Sequence, residues 1–279
     1  MFDIQTISYT DPAAPAQFAT SLRETGFAVL TDHPISPARI GAAYDAWGGF
    51  FNSDCKHDFL VDPQRQDGYF PFKSENAKDA KAKDLKEFFH VYPDGRVPAN
   101  LEVETRALHA DLAAIGSNLL GWLQDQTPDD VKSAFSEPLP QMLAGSQQNL
   151  LRILHYPPVA EAPEPGAVRA AAHGDINLIT VLLAGSAPGL QAQDTNGTWH
   201  AVPCDPGMIV INCGDMLEMA SGGYYPSTVH RVVNPEKTDT GARFSMPMFL
   251  HPRPEVVLKP GTTADDFLQQ RLREIGLKA

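Results

Sequence analysis

His173 and Asp175 stand two residues apart, and His230 follows them in the second half of a 279-residue chain. Two imidazole nitrogens and one carboxylate oxygen, gathered on one face of an octahedral metal, leave three positions open. That donor set suits non-haem Fe(II), which can then take up dioxygen. The same three residues would also suit zinc with an activated water, given a general base, for which Glu218 is the nearby carboxylate. On a strand, residues i and i+2 point to one face, so both His173 and Asp175 would reach one metal. A lone His-x-Asp is also common as a surface or hydrogen-bonded pair. Position adds weight here: the pair precedes the apolar run 178–183, and His230 lies in a second strand-like run, 227–233, whose alternation groups Thr228, His230 and Val232. The plainer reading of His230 is a core histidine bonded to a backbone group.

Arg243 and Ser245 share a strand face in the same way. A guanidinium forks onto a carboxylate through two charge-assisted hydrogen bonds, and a neighbouring hydroxyl adds a third. An arginine among Phe244, Met246, Met248 and Phe249 is costly to bury without an anion. That anion is either a protein carboxylate or a bound dicarboxylate such as an oxoacid cosubstrate. The remaining histidines have no carboxylate placed as Asp175 is beside His173; His57 with Asp58 reads as a surface pair, and His109, in a long helix, reads as exposed.

The elements that must position these residues fall into two textures. Helical spacing predicts helices over 11–24, 36–51, with Ser36 as N-cap and Pro37 in the first turn, 101–126, 128–135 and from Thr262 onward. Residues 26–30 read as a buried strand. After about residue 145, short period-two runs at 150–154, 178–183, 190–193, 198–202, 208–211 and 243–246 alternate with turn signals. Evenly spaced short strands indicate a jelly roll or barrel. The expectation is therefore a mainly β fold with flanking helices, organised as one domain: a mixed helical part over 1–145, a jelly-roll core over 146–255 and a closing helix over 256–279. Residues 73–86, charged and poor in apolar side chains, read as a solvated surface loop or as a lid over the site.

Composition limits the partners. Lys and Arg total 22 against 34 Asp and Glu, a net charge of −12 that disfavours nucleic acid and anionic membranes. No apolar run reaches the roughly 20 residues that span a bilayer. Cys55, Cys204 and Cys213 form neither a disulfide framework nor a zinc spacing. No basic-then-apolar leader opens the chain, and a cytoplasmic protein acting on a small molecule is expected. Oligomeric state is not legible.

From Asn149 to His251 the chain resembles the 2-oxoglutarate- and Fe(II)-dependent oxygenases of the isopenicillin N synthase-like family. The stretches that carry the resemblance are Leu151 to Pro158, Ala172 to Thr180, Gly189 to Gln191, Asn212 to Glu218, Ser227 to Val232 and Arg243 to Pro247, in that order; Gly26-Phe27 and Glu87 to Phe89 match more loosely. The resemblance implies a double-stranded β-helix core with Fe(II) on His173, Asp175 and His230. It implies 2-oxoglutarate as cosubstrate with its far carboxylate on Arg243 and Ser245, Tyr156 as a further contact, and O2 as oxidant. Many members carry Asn two residues before that tyrosine, where this chain has Leu154. The implied reaction hydroxylates a C–H bond and releases succinate and CO2. Tyr69, Phe88, His90 and Phe249 are candidates to line the substrate, although aromatic side chains more often serve the core. The rivals are an iron oxidase without the oxoacid, as isopenicillin N synthase itself is, a zinc hydrolase, and a non-catalytic jelly-roll binding module.

Overall fold

The computed structural model describes residues 2–75, 83–158, 168–185, 188–234 and 241–274. Its helices are α1 (Ala14–Thr25), α2 (Pro37–Phe51), α3 (Glu102–Gln126), α4 (Asp129–Lys132), α5 (Leu139–Leu143), α6 (Asp215–Ala220) and α7 (Ala264–Glu274). Its strands are β1 (Thr6–Ser8), β2 (Phe27–Thr31), β3 (Gly68–Phe70), β4 (Glu87–Val91), β5 (Leu150–Tyr156), β6 (Ala170–His173), β7 (Ile179–Leu183), β8 (Leu190–Gln193), β9 (Trp199–Ala201), β10 (Ile209–Cys213), β11 (His230–Val232), β12 (Arg243–Leu250), β13 (Val257–Lys259) and β14 (Thr262–Thr263).

An eight-stranded sheet in the order β1-β2-β10-β7-β12-β5-β4-β3 faces a four-stranded sheet, β6-β11-β8-β9. Strand alternation gives the large sheet two apolar faces with different partners. Ile209, Ile211, Val181, Leu183, Met246, Met248, Leu151, Ile153 and Phe89 pack with the helices. Phe27, Val29 and Val210 turn the other way and join Ala170, Leu190, Ala192, Val202 and Val232 of the small sheet. Phe70, Phe88, Leu154 and Tyr156 continue that inner face. Two sheets closed over a shared interior, with helices outside, make the double-stranded β-helix expected of the strand pattern.

Local chemistry sets the elements. Ser36 accepts a hydrogen bond from the Arg39 N–H at 3.3 Å and Pro37 opens α2, as the sequence predicts. The stripe Leu108, Leu112, Ile115, Leu119 and Leu123 buries α3 against the sheet. Gly26 ends α1 at φ 71° with its N–H on the Leu22 carbonyl, and a Cβ there would lie 2.3 Å from Thr228 Oγ1. Glycine is thus required both by backbone conformation and by close approach.

Several expectations needed correction. The first helix starts at Ala14 rather than Asp11, because Asp11 Oδ1 accepts from the Ala13 N–H and turns the chain. The helix expected over 128–135 shortens to the single turn of α4. His109 is half-buried, not exposed, with Nε2 against the Asn149 carbonyl at 3.1 Å. The 73–86 segment is solvated only in part: Lys73, Ser74 and Lys83 are exposed, whereas Asp84 and Lys86 are buried and ion-paired. Residues 76–82, on which the lid reading turns, lie outside the described residues, as does Ile275.

Candidate metal and cosubstrate site

His173 ends β6 and His230 begins β11, and the two are direct partners across the antiparallel pair. Asp175 lies beyond the strand, in the link to β7. Its side chain therefore reaches the histidines through a bend, not through the strand alternation that the spacing suggested. Asp175 Oδ1 sits 3.8 Å from His173 Nε2 and 3.7 Å from His230 Nε2, and the three donor atoms lie within 4.8 Å of one another. Among the described residues this is the cluster of His, Cys, Asp and Glu spaced to hold a metal.

Each donor is oriented from behind. His173 Nδ1 faces the Ala171 carbonyl at 2.7 Å and His230 Nδ1 faces the Thr228 carbonyl at 3.1 Å. A carbonyl can only accept, so Nδ1 carries the hydrogen on both rings and both Nε2 lone pairs face the metal position. Burial, and then His230, push the His173 imidazole down to about 4, which keeps it in the unprotonated form that ligates. Asp175 is held by its other oxygen: Thr180 Oγ1 donates to Oδ2 at 2.5 Å and Asn212 Nδ2 at 2.8 Å. Burial raises this carboxyl, but the two imidazoles and these two bonds outweigh it, and it lies below the usual carboxylate range. Asn177 in turn donates to Thr180 Oγ1 at 3.1 Å. Two imidazole nitrogens and one carboxylate oxygen, each fixed by a partner behind it, fit Fe(II).

The anion anchor is at the start of β12. Arg243 pairs with Tyr156 and Ser245 with Leu154 across β12 and β5. Arg243, Ser245 and Tyr156 are all buried, and the Arg243 guanidinium lies 5.1 Å over the Tyr156 ring. Gly185 makes room for it: a Cβ at that position would fall 2.8 Å from Arg243 Nη2. The three residues implied for the oxoacid thus converge on one inner-face corner.

The four substrate candidates divide. Phe88, His90 and Phe249 lie on the inner face, with Leu154 and Arg152 of β5 between them. Tyr69 does not join them. Alternation turns it to the helix side, where its hydroxyl donates to Glu87 among Phe50, Phe51 and His57. Other histidines are committed elsewhere: His155 to Glu87 on that outer face, His33 to the Gly207 carbonyl, His200 to Asp194. Glu218 is not among the carboxylates grouped with the triad.

Sequence reading assigned no role to Thr180, Asn212, Asn177 or Gly185. A usable signal was present for the first two: a single polar residue in the buried runs Ile179–Leu183 and Ile209–Cys213 must find a partner.

Comparison with known proteins agrees with this geometry. Residues 147–252 match the 2OG-Fe(II) oxygenase superfamily, and residues 1–109 match the N-terminal region of non-haem dioxygenases named for morphine synthesis. The chain is 31% identical over 261 residues to the 2-oxoglutarate-dependent dioxygenase citB of Monascus ruber, covering 85% of this chain and 78% of that protein. It resembles the crystal structure of a candidate oxygenase from Shewanella oneidensis at 48% identity and a TM-score of 0.89, over 99% of this chain and 100% of the other. A candidate 2OG-Fe(II) oxygenase family protein of Caulobacter crescentus matches at 32% identity and a TM-score of 0.79, over 98% and 99%. The chain belongs to the 2OG-Fe(II) oxygenase superfamily and is a 2-oxoglutarate-dependent non-haem iron dioxygenase of the isopenicillin N synthase-like family.

Proposed function

We propose that this oxygenase hydroxylates an unactivated C–H bond of a small molecule, with 2-oxoglutarate as the co-reductant. One atom of O2 enters the alcohol and the other enters succinate, with release of CO2, so that substrate, oxoacid and dioxygen balance against three products. Fe(II) and the oxoacid supply the redox chemistry when bound. The protein's part is to hold the donors, orient both organic molecules and keep water out.

His173, Asp175 and His230 would hold Fe(II) through Nε2, Oδ1 and Nε2. Phe27 stands edge-on to the His230 ring at 5.6 Å, an apolar wall beside the donors. Arg243 would take the far carboxylate of 2-oxoglutarate in its fork, with the Ser245 hydroxyl as a further donor and Tyr156 alongside. Phe88, His90 and Phe249 would form the substrate side. The observation that carries the reading is the buried Arg243 beside Ser245 and Tyr156 in the same interior as the triad. An oxoacid-independent oxidase would use that corner only for an anionic group of its own substrate. A zinc hydrolase would also need a general base set against a metal-bound water, and Glu218 is not among the residues grouped with the donors.

The test is anaerobic loading with Fe(II) and 2-oxoglutarate followed by 18O2. The reading predicts succinate carrying one labelled oxygen and equimolar CO2, even during slow turnover without substrate. Oxygen consumption without succinate would replace it with the oxoacid-independent oxidase.

A further inference from the structure

Arg152 is a charged inner-face residue that the reaction above leaves without a task. Alternation along β5 points it inward with Leu154 and Tyr156, and the side chain is 17% exposed, so it reaches open space. Its guanidinium lies 4.5 Å over the Phe88 ring and 5.5 Å from the Phe249 ring. Nε donates to His90 Nε2 at 2.8 Å, and His90 Nδ1 faces the Gln66 carbonyl at 3.0 Å. Burial, and then the Arg152 charge, push the His90 imidazole well below its ordinary value. The ring stays neutral and keeps an accepting nitrogen for Arg152. The guanidinium is thus fixed at its inner nitrogen and sheathed by aromatic rings, while its terminal fork faces outward.

Among the described residues that fork meets the Glu75 carboxylate, at long hydrogen-bond distances. Glu75 oxygens lie at 3.2 and 3.5 Å from Nη1 and Nη2, longer than the roughly 2.7–2.9 Å of a good charge-assisted pair. Glu75 is closer to Lys86, at 2.9 Å, and Lys86 also holds Asp84 at 2.8 Å. Glu75 therefore keeps a cationic partner if another carboxylate takes the fork. The fork keeps a carboxylate when no ligand is present.

Position ties the fork to the metal side of the interior. Phe249 pairs across strands with Thr180, whose hydroxyl holds Asp175. Arg243 lies at the opposite end of β12, six residues before Phe249. The Arg152 guanidinium thus lies toward the support of the triad, while Arg243 lies at the oxoacid corner, where Arg169 also stands over the Tyr156 ring at 5.9 Å.

We infer that Arg152 anchors the carboxylate of an acidic substrate whose apolar body lies along Phe88 and Phe249, with the reacting carbon toward the triad. The inference rests on the oxygenase reading of the site and names its substrate class: small, largely apolar organic acids. Glu75 occupies the carboxylate position until the substrate arrives.

The experiment is calorimetric titration of anaerobic, Fe(II)- and 2-oxoglutarate-loaded protein with phenylacetate, 3-phenylpropanoate and 4-phenylbutanoate, each beside its primary amide. A charged group meeting the fork should make at least one acid bind about tenfold or more tightly than its amide. Arg152→Gln should bring that ratio to about one, and Arg152→Lys should retain part of it, since charge remains without the fork. If no acid outperforms its amide, or if Arg152→Gln leaves the ratio unchanged, the inference is overturned. The visible charge-transfer band of the unaltered protein, recorded first, separates the two readings. Its absence would refute the metal and oxoacid assignment, whereas its presence without acid preference refutes Arg152 alone.

Discussion

Asn212 and Thr180 are cross-strand partners on β10 and β7, and both donate to the same oxygen of Asp175, leaving the other oxygen to face the two histidines. Replacing either partner without changing shape should loosen the carboxylate. Thr180→Val or Asn212→Leu is expected to weaken Fe(II) or Co(II) binding about 10- to 100-fold, read by titration under anaerobic conditions. Unchanged metal affinity in both would show that Asp175 needs no such support.

At the oxoacid corner, Arg243→Met should raise the KM for 2-oxoglutarate by roughly ten- to a hundredfold while metal affinity holds, because a charge-assisted pair is lost. Ser245→Ala should cost only a few-fold, being one neutral donor. Gly185→Ala should act like a weaker Arg243 substitution, since the added Cβ would press on Nη2. Steady-state kinetics with varied 2-oxoglutarate distinguishes them, and an unaffected KM in Arg243→Met would remove the anchor.

Gly26 links the helical layer to the metal site. A side chain there meets Thr228 Oγ1 and the Pro226 carbonyl in a backbone region that disfavours L residues. Thr228 also donates to the Thr25 carbonyl at 2.7 Å, and its own carbonyl orients His230. Gly26→Ala should lower stability by about 2 kcal/mol or more and weaken metal binding at the same time. Denaturation and metal titration on one preparation would check the pair; full metal affinity in the destabilised variant would break the link.

Metal-free protein should lose stability as pH falls from about 6.5 toward 4. Burial first holds the His251 imidazole down to about 4, and His90 is pushed down as well. Both are neutral when folded, so the unfolded chain binds their protons first on acidification. Their contribution is complete above the unfolded value near 6.5 and is lost toward the folded value, at most about 3 kcal/mol for His251. Chemical denaturation at pH 7.5, 6 and 4.5 reads it, and His251→Gln should flatten the slope. A stability that rises on acidification through this window would contradict the burial argument.

The parts of the fold that sequence made legible are those set by local periodicity. Leu190–Gln193 forms the strand its alternation predicts, and the Ser36-Pro37 start of α2 is a local signal. Non-local register was not legible. Tyr69 and Phe88 look equally aromatic in the chain, yet pairing of β3 with β4 sends them to opposite faces. The charges of residues 73–86 read as solvated because Lys86, Asp84, Glu75 and Arg152 find each other only in three dimensions. The triad was legible through residue type and spacing, although a bend, rather than a shared strand face, brings Asp175 to its histidines.

The most direct test of the central claim is the visible difference spectrum of anaerobic protein with Fe(II) and 2-oxoglutarate. The account predicts a weak metal-to-ligand charge-transfer band, absent in His173→Ala and weakened in Arg243→Met. Iron-bound protein that shows no band on saturation with 2-oxoglutarate would contradict it.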